Sequence, residues 1–384
     1  MSGAGSMAEN STDPAFQVSG FDHFLSGLIA NYPKFWIGLG NLETKVLADE
    51  IALVAIKAPI YVTGLARAGT TIALEILASH PDVATHLYRD FPPVFTPYWW
   101  NWFVERSRKA PPAPQERAHK DGIMITPDSP EAREEVIWMA FFEALHDPAQ
   151  SNVLDRDTDN PAFEAFYRDH IRKLLAARGR KRYLSKGNYN ITRIAYLHKL
   201  FPDARFVVPV RDPVWHIASL MKQHRLFREG ERGNNRALEY MRRVGHFEFG
   251  LDLRPINCGD GERVCEIQEL WEKGEDVRGW ARYWAMMYGY VVETMDRDPA
   301  LREAAMVLRY EDLCAKPVET MRRMMEHCGL EANEEVLAGL AGRLKPPEYY
   351  KPGFSESELR AIDGEIRSHP SMSSALCEFI GGHG

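Results

Sequence analysis

Ile60-Tyr61-Val62-Thr63-Gly64-Leu65-Ala66-Arg67-Ala68-Gly69-Thr70-Thr71 sets a short apolar run directly before two glycines and a pair of threonines. The apolar run reads as a buried strand, and Thr71 to Ser79 reads as a helix stopped by His80-Pro81. Between them, Gly64 and Gly69 let the backbone turn tightly and point N–H groups inward. The helix N-terminus adds partial positive charge, so the turn suits a bound anion. A nucleoside triphosphatase would carry lysine after the second glycine. Here that position is Thr70, and the cation of the loop is Arg67, inside the turn. The competing reading is an incidental strand–helix turn.

Three more segments repeat the pattern of apolar run, turn and helix. Tyr183-Leu184-Ser185 leads towards a helix from Thr192 to Leu200, and Arg205 to Val210 leads through Arg211-Asp212-Pro213 into a helix reaching about Gln223. Ala305 to Arg309 leads through Glu311-Asp312 into a helix from Pro317 to His327. Apolar runs without alternation, interleaved with helices, predict an α/β protein with a central parallel sheet covered on both faces. Two stretches break the rhythm and read as inserted helical or loop segments, at about 91–130 and 225–276. The first holds eight prolines and the cluster Tyr98-Trp99-Trp100-Asn101-Trp102-Phe103, read as an aromatic lid or a surface for acceptor or lipid. The basic run Arg172 to Arg182 reads as a solvated helix end.

Composition narrows the function classes. The 384 residues are 45% hydrophobic and 26% charged, which are globular values, and the net charge of −7 argues against a nucleic-acid partner. Five cysteines without a CxxC pair give neither a disulfide framework nor a zinc signature. No apolar run reaches the ~18–20 residues of a membrane span. A cytoplasmic protein without a bound metal is the expectation. Residues 1–20 are set apart as a tag-like or disordered N-terminus.

The second phosphate-binding candidate is Val208-Pro209-Val210-Arg211-Asp212-Pro213 with Ser219, eight residues beyond Arg211. Arg211 would sit at a strand's carboxyl edge and Ser219 about two helical turns on, so both can converge on one phosphate. Arg211–Asp212 as a turn salt bridge, with Ser219 as a surface serine, is the plainer alternative.

Taken together these residues resemble the sulfotransferases that use 3′-phosphoadenosine 5′-phosphosulfate (PAPS). Gly64 to Thr71 resembles the family's 5′-phosphosulfate loop, with arginine as in its tyrosylprotein and broad bacterial branches. Arg211 and Ser219 resemble its 3′-phosphate motif, and Arg309-Tyr310-Glu311-Asp312-Leu313 its later strand-to-helix segment. The resemblance implies a three-layer, P-loop-like fold in one sulfotransferase domain spanning 21–384. It implies PAPS as donor cosubstrate, no metal, and sulfuryl transfer to a hydroxyl or amine of a small-molecule, lipid or carrier-bound acceptor. Gly64, Arg67, Ala68, Gly69, Thr70, Thr71, Arg211, Ser219 and Tyr310 are then the donor-binding residues. Arg67 and Lys186 would be the catalytic cations, although Lys186-Gly187-Asn188 departs from the family's Lys-x-Pro. An acidic cluster at Asp128 to Glu135 would supply the general base, with Glu134 placed ahead of Glu135 and with His86 and Asp90 in reserve. The rival functions are a P-loop kinase or nucleoside triphosphatase and a non-catalytic nucleotide-binding protein.

Overall fold

The computed structural model describes residues 13–107, 113–117, 119–120, 122–342, 344 and 352–372. Among these, seven strands are present: β1 (Ile60–Val62), β2 (Val83–Ala84), β3 (Gln115–Glu116), β4 (Met124–Ile125), β5 (Arg182–Lys186), β6 (Arg205–Val210) and β7 (Ala305–Arg309). Five of them form one parallel sheet in the order β2-β5-β1-β6-β7. β3 and β4 pair separately as an antiparallel hairpin. Ile60, Tyr61 and Val62 are fully buried, as are Leu184, Phe206, Val207 and Val208. Helices cover the sheet, which explains why these strands read as continuous apolar runs.

One apolar cluster packs Tyr61, Phe206 and Val208 with the aromatic side chains of the Pro161–Arg178 and Asp276–Arg297 helices. A second packs Ile60, Val62, Leu184 and Val207 against Leu74, Leu77, Met321 and Met324 of the Thr70–Ala78 and Pro317–His327 helices. The sheet is therefore the middle of three layers. Its register places Val62 beside Lys186 and Val210 beside Arg309. All four predicted motifs consequently leave the sheet at one carboxyl edge, where open α/β sheets bind ligands.

Several local expectations change. The stretch 91–130 contains the Pro97–Ser107 helix and the β3–β4 hairpin, and 225–276 is largely helical. The helix expected to end near Gln223 runs from Pro213 to Glu231, followed by helices Asn235–Arg243 and Gly261–Glu272. The aromatic cluster lies on Pro97–Ser107, which packs on Pro161–Arg178, and Trp100 Nε1 donates to the Arg89 carbonyl at 2.6 Å. It does not line the cleft described below. The basic run is only partly solvated: Lys173 pairs with Glu43 at 3.0 Å in full burial, and Arg178 grips Asp90 at 2.6 Å. Within the set-apart N-terminus, Phe16 is buried edge-on against Phe227. Among the described residues no helix is long and apolar enough to cross a membrane.

Candidate active site

The loop after β1 is shaped by three backbone requirements. A Cβ on Gly64 would stand 2.9 Å from the Pro209 carbonyl, so only glycine lets the loop pass under β6. Gly69 has φ +101°, and a Cβ there would stand 2.9 Å from the Tyr310 ring. Arg67 has φ +73°, a left-handed conformation costly for a side chain with Cβ and concentrated at functional sites. Ala68 N–H donates to the Leu65 carbonyl at 3.3 Å and closes the turn, and the helix begins at Thr70.

The loop is also fastened from outside. His216 Nε2–H donates to the Ala66 carbonyl at 2.8 Å while its Nδ1 accepts from Trp284 Nε1 at 3.0 Å. Burial lowers the His216 pKa to about 3, so the ring is neutral and this tautomer is fixed near neutral pH. Arg67 Nε donates to Ser219 Oγ at 3.3 Å, tying the loop to the Pro213–Glu231 helix.

At the end of β6, Asp212 is a helix cap and not the partner of Arg211. Its Oδ1 accepts from Val214 N and Trp215 N at 3.0 and 3.2 Å. Arg211 is 4% exposed and lies over the Tyr310 ring, 5.1 Å from its centroid. Its Nε and one terminal nitrogen are buried without a hydrogen-bond partner. Two donors left so in the interior are expensive unless an acceptor fills the space. The chain Gly69–Tyr310–Arg211 is thus one contiguous wall, with Ser219 bonded from the loop side by Arg67.

The β1 and β5 ends open on a cleft of about 570 Å³. Arg67, Thr70, Thr71, Lys186 and Asn188 line its base, together with Arg117 and Glu131. Its walls include Phe16, Tyr88, Phe227, Tyr240 and Phe249. Asn188, where the family carries proline, accepts from Thr70 Oγ1 at 3.4 Å and donates to Glu248 Oε1 at 3.0 Å. Burial lowers the Lys186 pKa below the ordinary lysine value; Glu131 and Glu248 oppose that shift, while Arg117 and Arg67 reinforce it.

The acidic cluster divides into unlike roles. No helix starts at Asp128, because Glu131 N–H bonds the His86 carbonyl and Pro130 bridges to Leu87. The helix begins at Glu135 instead. Glu134 is 4% exposed and accepts from Tyr167 Oη at 2.8 Å, and also from Tyr183 Oη and Ser185 Oγ. Glu135 pairs with Arg193 at 2.7 Å and His146 at 2.7 Å. Burial would raise the Glu135 pKa, but these partners outweigh it and hold it at about 2. Glu134 thereby anchors the helix to β5, and Glu135 anchors it to Arg193 and His146. In Glu131, burial also raises the pKa, and Lys186 first, then Arg133, bring it below the usual value. The reserves are internal: His86 Nε2 lies 3.0 Å from His170 Nε2, and Asp90 is bonded by Arg178.

Residues 59–248 match the model of the sulfotransferase family. No curated protein matches. Among solved structures, a sulfotransferase from Mycobacterium avium is similar at 17% identity and TM-score 0.47, over 93% of this chain and 87% of that one. A sulfotransferase from Mycobacterium tuberculosis H37Rv is similar at 17% identity and TM-score 0.43, over 89% and 84%. One from Alicyclobacillus acidocaldarius is similar at 11% and 0.40, over 86% and 98%.

Proposed function

We propose that this chain, which over residues 59–248 belongs to the broad sulfotransferase superfamily, moves a sulfuryl group from PAPS to an acceptor hydroxyl or amine. The observation that carries the donor assignment is Arg211. Its buried donors without partners, over the Tyr310 ring that packs against Gly69, fit a phosphate at the same sheet edge as the Arg67 loop. In this reading Arg211 holds the 3′-phosphate, with Ser219 beside it on the loop's side. Backbone N–H groups of the loop, with Thr70 and Thr71, receive the 5′-phosphosulfate, and Tyr310 flanks the nucleotide. The absence of a lysine after Gly69 weighs against triphosphate chemistry.

Transfer makes a bond from the acceptor oxygen or nitrogen to sulfur and breaks the bond from sulfur to the bridging phosphate oxygen. The electron pair leaves with adenosine 3′,5′-bisphosphate. Arg67 and Lys186 stabilise the charge that grows on that bridge. The acceptor's proton passes to a carboxylate. Glu131 is the residue we assign, because it lines the cleft beside Lys186 while Glu134 is committed to three hydroxyls. The aromatic walls suit an acceptor with an apolar body.

The test incubates the protein with PAPS and a panel of alcohols, phenols and amines, and scores acceptor mass for one added sulfuryl group. Transfer by the wild type and its loss in Arg67→Ala are expected. Bisphosphate binding without transfer to any acceptor would favour a non-catalytic nucleotide-binding protein instead.

A further inference from the structure

The donor motifs account for Arg67 and Lys186, but a third cation reaches the same end of the cleft from outside every motif. Arg117 follows β3 in the hairpin, and its backbone N–H donates to the Ile123 carbonyl at 3.2 Å, continuing the pairing with the β4 side. Although the hairpin strands are largely exposed, Arg117 itself is only 7% exposed. Its side chain turns inward and one terminal nitrogen donates to Thr71 Oγ1 at 3.1 Å. Thr71 is the second residue of the helix that opens behind the phosphate loop, so the guanidinium stands at the mouth of that loop.

Arg117 lines the cleft together with Arg67, Thr70, Thr71 and Lys186. Two guanidinium groups and an ammonium therefore border the space in front of the loop, and Arg117 and Arg67 both act on Lys186. Donors arriving from three separate segments suit an anion with several oxygens.

We infer that Arg117 binds the sulfuryl end of the donor and holds it in line for transfer, so that the β3–β4 hairpin completes the catalytic site. This rests on the sulfuryl-transfer reading above. A guanidinium is well matched to this role, because it offers several N–H donors in a planar fork to the sulfuryl oxygens and keeps its charge throughout. Arg117 gives and takes no proton. It orients the sulfuryl group in line between the bridge and the acceptor, while Lys186 and Arg67 serve the bridge, where the negative charge grows.

The experiment compares PAPS with adenosine 3′,5′-bisphosphate, which lacks the sulfuryl group, by calorimetric titration of the full chain. Wild type, Arg117→Ala and Arg117→Lys are measured, with thermal unfolding of each. Arg117→Ala should weaken PAPS by about tenfold or more and the bisphosphate by less than about threefold, with Arg117→Lys in between. Equal losses for both ligands would make Arg117 a structural residue, and unchanged binding of both would place it outside the site. Either result overturns the inference. If Arg117→Ala does not fold, the PAPS-selective loss is read in Arg117→Lys. Wild-type protein that binds neither ligand would instead remove the donor reading on which the inference rests.

Discussion

Glu134→Gln separates a carboxylate that anchors the fold from one that performs chemistry. Glu134 accepts from Tyr167, Tyr183 and Ser185, so it joins the helix at Glu135–Phe141 to β5 and to the Pro161–Arg178 helix. Hydrogen bonds to a charged acceptor contribute about 1.5–3 kcal/mol, against about 0.5–1.5 for neutral pairs. Loss of the charge therefore weakens three bonds by about 1 kcal/mol each. The amide nitrogen cannot accept, but the Ser185 hydroxyl can turn to receive it. Relief from burying a charge offsets part of the loss, leaving about 2 kcal/mol. For a chain of this size that is a fall in Tm of roughly 2.5 °C. Differential scanning calorimetry of Glu134→Gln and Glu131→Gln supplies the comparison. Glu134→Gln should lower Tm by that amount. Glu131→Gln should remove transfer, with a fall in Tm of its own as the charge beside Lys186 and Arg133 is lost, whereas Glu134→Gln keeps transfer. A Glu134→Gln protein that melts with the wild type and has lost transfer would refute the division and return the base to Glu134.

Arg211→Ala should weaken adenosine 3′,5′-bisphosphate by about a hundredfold with little change in Tm, because it removes two buried donors that have no protein partner; unchanged affinity would exclude the 3′-phosphate role. Asp212→Ala removes the cap on Val214 and Trp215 and should cost about 1 kcal/mol, read in urea unfolding. Stability should fall as pH drops from about 5 towards 2. Glu135 and Asp90 both sit at about 2 in the fold, against ordinary values of 4.5 and 3.8, so their stabilisation is complete above the unfolded values and vanishes on acidification. A Tm flat from pH 6 to pH 3 would contradict this.

The sheet and its carboxyl edge were legible because each motif is contiguous. Ile60 to Thr71 and Arg205 to Pro213 each carry strand, turn and helix start within about a dozen residues, and the structure keeps those boundaries to within one or two; after Ala305–Arg309, where a turn at Glu311-Asp312 was expected, a short helix Tyr310–Ala315 precedes the one from Pro317. Lys186 was readable for the same reason, as the residue closing β5. What could not be read depends on distant partners. The Asp276–Arg297 helix buries Trp280, Trp284 and Tyr288 together, so it lacks the clean polar face that marks a surface helix. Glu131 and Glu134 lie three residues apart in one acidic segment and both border the cleft, and only the distant partners Tyr167, Tyr183 and Ser185 set Glu134 apart. His216 supports the loop from 150 residues away. Arg117 follows a proline-rich stretch with no periodicity, and nothing local signals that its side chain turns inward.

Calorimetric titration with adenosine 3′,5′-bisphosphate against ATP–Mg2+ tests the central claim most directly. Arg211 beside Tyr310, with a phosphate loop that lacks the triphosphatase lysine, predicts binding of the bisphosphate at least about a hundredfold tighter than ATP–Mg2+. Tighter binding of ATP–Mg2+ would keep the anion loop and contradict the sulfuryl-transfer account.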